Sequence, residues 1–242
     1  MIIITGLGRC GTSLMAGVFK ELGFGMGKHG MSYGERRRAG WEWAPAYAIS
    51  RDMYDEYLRR GKEIDLYEVT DALYWGKISL RDRILRIDND TPPERNEGEP
   101  IELFKDPRVT WHPKIIQAWW SIRKDLRLII LNRKPENIIN SRAKVGIENW
   151  GSDAHFQDPK RGMDVKQFYD DYKGFMHQVK VLGIPHVLLN YPAFVKYPKK
   201  DIFVHLQGLG VMKDHSVEDF QAAWDAVYDE EKVYYYEDEI ED

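Results

Sequence analysis

The 242-residue chain predicts an α/β domain, with a central, mainly parallel sheet covered by helices on both faces. Three observations carry that expectation. Short apolar runs at 2–5, 126–131 and 184–189 read as strands buried on both faces. Segments with helical apolar spacing separate them. The first run ends in a glycine loop, Gly6-Leu-Gly-Arg-Cys-Gly11, which opens onto a helical pattern.

Each element has its own justification. Residues 13–22 place Leu14, Val18 and Leu22 at helical spacing, and Gly23 stops the helix. Residues 24–41 are rich in Gly, Met and Arg without a period, so they read as loop. Residues 46–60 read as a helix with Ile49, Met53 and Leu58 inward. Residues 66–87 read as a second, more polar helical stretch. Residues 89–100 are a polar loop rich in turn residues. A strand at 101–105 meets an Asp106-Pro107-Arg108 turn. Residues 113–123 form a helix carrying Ile115, Ile116, Trp119 and Trp120. Pro135 suits the first turn of a helix that runs to about Lys144. A loop with Gly, Asp and Pro covers 146–163, and Asp164 can cap a helix reaching Leu182. After the strand at 184–189, a helix around 199–207 ends at Gly208. Residues 216–227 start with Ser-x-x-Asp and are helical. Residues 233–236 read as an edge strand, and 237–242 as an acidic, frayed tail. The expectation is one domain over 1–242. Residues 24–100 are an insertion between the first two core strands, forming a helical lid over the loop face.

Composition excludes several classes. Hydrophobic residues make up 43% of the chain, enough for a buried core, and the net charge of -4 argues against a nucleic-acid binder. The single cysteine, Cys10, rules out a disulfide framework or a multi-cysteine zinc site within one chain. No base stands beside it in sequence, so it reads as a small residue fitting a tight loop rather than a reactive thiol. The opening residues lack the basic, apolar and cleavage regions of a secretory signal, and no apolar run approaches the ~20 residues of a membrane span. The expectation is a soluble, cytoplasmic protein.

The glycine loop is an anion cradle. Its glycines let the backbone turn tightly and aim N–H groups inward, and the following helix adds a positive dipole end. Two phosphate-loop templates fit at once. Gly6, Gly8 and Gly11 satisfy G-x-G-x-x-G, while Gly6, Gly11, Thr12 and Ser13 satisfy G-x-x-x-x-G-K-[ST] with Thr12 in place of lysine. The dinucleotide reading needs a second strand ending in an acidic residue soon after the first helix. Residues 23–30 are glycine-rich instead. Nucleotide hydrolysis or a kinase needs the missing lysine and an acidic strand end for Mg²⁺. The strand at 126–131 is followed by Asn132, and Lys105 precedes Asp106, so the predicted metal set is none. Transfer of a sulfuryl group fits better. It carries less charge than a phosphoryl group and has less need of a metal, yet it wants a cradle and a cation at the bridging oxygen. Arg9 can supply that cation.

Gly8-Arg9-Cys10-Gly11-Thr12-Ser13 resembles the 5′-phosphosulfate loop of sulfotransferases that use 3′-phosphoadenosine-5′-phosphosulfate (PAPS). Arg133-Lys-Pro-Glu-Asn-Ile-Ile-Asn-Ser141 resembles the family's second motif, an arginine at a strand end with a serine eight positions on. A helix starting near Pro135 would let Arg133 and Ser141 reach one 3′-phosphate as fork and hydroxyl donors. Phe104-Lys105-Asp106-Pro107-Arg108 and Gly40-Trp41-Glu42 resemble segments of the bacterial-type members, and 187–198 resembles the later strand and turn. The resemblance covers 1 to about 207. It implies a phosphate-loop nucleoside-triphosphate-hydrolase-like sheet, PAPS as cosubstrate, and a small-molecule, glycan or lipid acceptor with a hydroxyl or amine. Arg9 stands where lysine is commoner. Cys10 replaces a serine, and Lys160-Arg161-Gly162 is a degenerate counterpart of a basic loop in other members.

The resemblance assigns PAPS binding to Gly8, Arg9, Cys10, Gly11, Thr12, Ser13, Arg133 and Ser141. The catalytic candidates are Arg9, Glu42, Lys105 and Asp106. An acceptor hydroxyl must lose a proton, so a carboxylate or histidine must lie within reach. Glu42 is the first choice through the resemblance. Asp106 is the second, with a structural ion pair as its alternative, and His29 and His112 are outsiders. Lys105 and Arg108 either hold the sulfate or form a structural salt bridge. Arg36, Arg37 and Arg38 are a solvated face or an anion-attracting edge of the lid. Trp41, Trp43, Trp75 and Trp111 fill core space or offer an acceptor platform. Two other functions remain open: a small-molecule or nucleotide kinase, and a nucleotide-binding scaffold without catalysis.

Overall fold

The computed structural model describes residues 1–26, 46, 50, 69–72, 76–79, 101–144 and 165–228. Its centre is β1 (Ile2–Gly6), where all five residues are buried. Parallel partners flank it: β4 (Leu103–Lys105) on one side and β5 (Arg127–Asn132) on the other, with β6 (His186–Asn190) beyond β5. The order is β4-β1-β5-β6, a parallel sheet of four strands.

Alternation along the strands divides the core. Ile3, Phe104, Leu128 and Ile130 face one way, against α2 (Pro113–Ile122) and α4 (Val165–Val181). Ile4, Leu103, Ile129 and Leu131 face the other way, against α1 (Thr12–Glu21), α6 (Lys199–Gly208) and α7 (Val217–Val227). Burial on both faces explains why the strands read as continuous apolar runs. Two further described helices are α3 (Pro135–Lys144) and the single turn α5 (Ala193–Lys196).

Local signals terminate these elements. Ser216 and Asp219 form a reciprocal capping box at the start of α7. His112 Nδ1 accepts from the Lys114 N–H at 3.2 Å and so caps α2. After α1, Gly25 O accepts from the backbone N–H groups of Glu102 (2.8 Å) and Leu103 (3.1 Å), tying this segment to β4.

The structure corrects one expectation. The segment expected to be helical at 66–87 contains β2 (Val69–Ala72) and β3 (Gly76–Ser79), paired antiparallel with Thr70 opposite Ile78. Val69, Thr70 and Ile78 are β-branched residues, which favour strands, and Gly76 disfavours helix. The insertion is therefore not wholly helical. Positions 46 and 50 are helical as expected, and Ala46 packs into the core with Phe104. The predicted loops at 89–100 and 146–163, the Asp164 cap and the strand at 233–236 lie outside the described residues. Among the described residues, no helix is long and apolar enough to cross a membrane.

Candidate functional site

The loop joining β1 to α1 sits at the carboxyl end of the central strand, where ligands bind in such sheets. Its backbone is unusual at four points. Gly6, Gly8, Gly11 and also Arg9 (φ 52°) have positive φ. Two glycines are needed for space as well. A Cβ at Gly6 would lie 2.1 Å from Leu131 O, and one at Gly11 would lie 2.9 Å from both Phe194 Cζ and Tyr191 Cδ2. Gly11 is the N-cap of α1, and no side chain caps the helix there. No N-cap side chain competes for the first-turn N–H groups, which suits an anion, although the Thr12 backbone also bonds to Cys10.

The flanking strands deliver cations from opposite sides. From β4, Lys105 is only 3% exposed, and its Nζ donates to Ser13 Oγ at 3.0 Å. From the end of β5, Arg133 is 2% exposed, and its Nη1 donates to Arg9 O at 2.9 Å. Its guanidinium also lies 4.8 Å from the centre of the Tyr191 ring. From α3, the buried Ser141 Oγ accepts from Arg9 Nε at 3.4 Å. Arg9, Ser13, Lys105, Arg133 and Ser141, expected as site residues from sequence, are therefore gathered around one loop. Three cations and two hydroxyls suit an anionic ligand.

The buried Asp106 caps the short 3₁₀ helix Pro107–Thr110, accepting from Arg108 N at 3.0 Å and Arg108 Nη1 at 3.3 Å. Thr5 Oγ1 donates to Asp106 O at 2.9 Å, which fastens that turn to β1. Asp106 Oδ1 is thus engaged in its own turn. Trp111 lies in the core, and Arg108 is over its ring. Glu42, His29, Arg36, Arg37, Arg38, Trp41, Trp43, Trp75 and the basic run at 160–162 lie outside the described residues. Sequence reasoning missed Tyr191, which covers Arg133 and crowds Gly11. Its signal was a Tyr-Pro pair directly after a core strand, at the sheet's ligand-binding end.

Cys10 has its side chain in the core beside Ile4 and Leu131, fully buried. It therefore offers the cradle backbone rather than a thiol. Burial pushes this thiol up from 9.0 to about 12, against the lowering effect of hydrogen bonds with the Gly8 and Thr12 backbone. A raised folded-state pKa means that the associated stability is complete below about pH 9 and is lost as pH rises toward 12. Iodoacetamide should leave native Cys10 unlabelled at pH 8 and label it fully in denaturant; rapid native labelling would contradict the buried placement.

No protein-family model and no curated protein matches the chain. A solved structure does match: the sulfotransferase domain from the curacin biosynthetic pathway. The match covers 87% of this chain and 74% of that one, with a TM-score of 0.51 and 13% sequence identity. The chain thus has an α/β fold of the sulfotransferase-domain type, with a four-stranded parallel sheet flanked by helices.

Proposed function

We propose that the protein transfers a sulfuryl group from PAPS to a hydroxyl or amine acceptor, without a metal ion. The observation that carries this reading is the convergence of Arg9, Lys105 and Arg133 on a glycine loop that has Thr12 where a nucleotide-hydrolysing loop has lysine. The fold shared with a sulfotransferase domain supports it.

The donor set fits a ligand with two anionic ends. Arg133 and Ser141 would hold the 3′-phosphate. The loop N–H groups, Thr12 and Ser13 would hold the 5′-phosphosulfate, and Lys105 the sulfate oxygens. PAPS supplies an activated sulfuryl group. In the transfer, a bond forms between the acceptor oxygen or nitrogen and sulfur, and the bond from sulfur to the bridging oxygen breaks. Negative charge then develops on the 5′-phosphate oxygen, where Arg9 stabilises it. The acceptor proton passes to a base, for which Glu42 is proposed. The acceptor class is a small molecule, glycan or lipid.

Calorimetry without Mg²⁺ should show binding of adenosine 3′,5′-bisphosphate, the nucleotide product. Tight binding of ATP with Mg²⁺ and none of the bisphosphate would instead identify a kinase. In a labelled-sulfate screen of acceptors, Glu42→Gln should lower turnover by about a hundredfold or more at unchanged bisphosphate affinity. Unaltered turnover would remove Glu42 as the base. A screen blank throughout, despite bisphosphate binding, would identify a scaffold.

A further inference from the structure

The first turn of α3 carries a buried polar residue beside the donors already assigned. Asn137 is 7% exposed. Its backbone N–H donates to Lys134 O at 3.1 Å, and among the described residues its carboxamide has no hydrogen-bond partner. That is unexpected from sequence. A polar side chain at the third helical position usually turns back to accept from the N–H at the helix start. Here that bond is not made, which leaves the two carboxamide donors for whatever lies in front of this helix face.

Helix geometry says what the amide faces. Asn137 and Ser141 are four residues apart, so they lie on one face of α3, with Asn137 one turn nearer the helix start. Ser141 is on the face that meets Arg9, since its Oγ accepts from Arg9 Nε. Ile138, one position on, is buried in the apolar core, which fixes the rotation of the helix. Asn137 is also four residues beyond Arg133, whose guanidinium is anchored to the same loop. A buried guanidinium, an unspent amide and a buried hydroxyl thus stand at 133, 137 and 141.

We infer that Asn137 is a third donor to the phosphate held by Arg133 and Ser141, and that it sets the preference for a nucleotide bearing a 3′-phosphate. The inference rests on the proposed PAPS reading of the site. A carboxamide suits the task because it donates without adding charge; an aspartate of the same shape would present only acceptors to an anion.

The test compares adenosine 3′,5′-bisphosphate with adenosine 5′-monophosphate by calorimetry on the whole chain. Asn137→Ala should weaken the bisphosphate about tenfold and the monophosphate by less than about twofold, the pattern of one lost hydrogen bond to a charged group. Asn137→Asp keeps the shape, and should weaken the bisphosphate further through charge repulsion. It carries the test alone if the alanine variant fails to fold. Equal losses for both nucleotides, or none, would overturn the role of Asn137 while leaving the PAPS reading intact. A wild-type protein that does not prefer the bisphosphate would overturn both.

Discussion

Arg133→Ala should abolish tight binding of adenosine 3′,5′-bisphosphate, with a loss of about a hundredfold or more. A guanidinium presents a planar fork to a phosphate, and each hydrogen bond to a charged partner contributes about 1.5–3 kcal/mol. Arg133 is almost wholly buried, so solvent screening takes little of that away. The substitution has a second effect. It removes the donor to Arg9 O and the cation over Tyr191, so the loop loses a brace as well as a ligand. Arg133→Lys separates the two effects. It keeps a charge but not the fork, and should fall between wild type and alanine. Bisphosphate affinity unchanged in Arg133→Ala would refute the phosphate-binding assignment.

Gly6→Ala should be among the most destabilising single substitutions. The added methyl would lie 2.1 Å from Leu131 O and 2.8 Å from Cys10 Sγ. The first obstacle is backbone, so no rotamer change relieves it. Gly6 is in register with Leu131, and the two strands must separate locally to make room. That separation opens the centre of the sheet at the point where the loop begins. The expected cost is about 3 kcal/mol or more, close to the upper range for single substitutions. A fall in Tm of roughly 10 °C is expected for a chain of this size. Adding Cys10→Ala should not restore stability, since Leu131 O remains in place. A urea midpoint equal to wild type would show that the strands yield more easily than their packing implies.

The parts of the fold that were legible in the sequence are those where one physical requirement dominates. The strand at 2–5 is apolar and β-branched because both its faces are buried. Gly6 and Gly11 stand where no Cβ fits. Ser216 and Asp219 announce a helix start through their own hydrogen bonds. The segment at 66–87 was misread because its polar residues do not alternate clearly. Its β-branched residues decide for strand only once two short segments pair, and pairing is not a local property. The sequence pointed to Arg9, Lys105, Arg133 and Ser141 because cations and hydroxyls near a glycine loop suggest anion chemistry, and the structure gathers them at that loop. Tyr191 was not legible: its contacts are with Arg133 and the Gly11 turn, far away in sequence, and the Tyr-Pro pair after the strand is only a faint local signal of them. Cys10 was legible: read as a small residue fitting a tight loop, it turns its thiol inward.

Long sequence separations within the site have a consequence for biosynthesis. Ser13 and Lys105 are 92 positions apart, Arg9 and Arg133 are 124 apart, and Arg9 and Ser141 are 132 apart. During translation the glycine loop emerges first, and its partners follow after roughly ten seconds at ordinary elongation rates. Over that interval β1, whose five residues are all buried in the finished sheet, has neither neighbour to pair with and is a target for chaperones and aggregation. On the proposed reading, nucleotide is captured only after both flanking strands have been synthesised and docked. Early nucleotide therefore cannot template the nascent sheet, and retention on a nucleotide resin would report completed folding rather than synthesis of the loop.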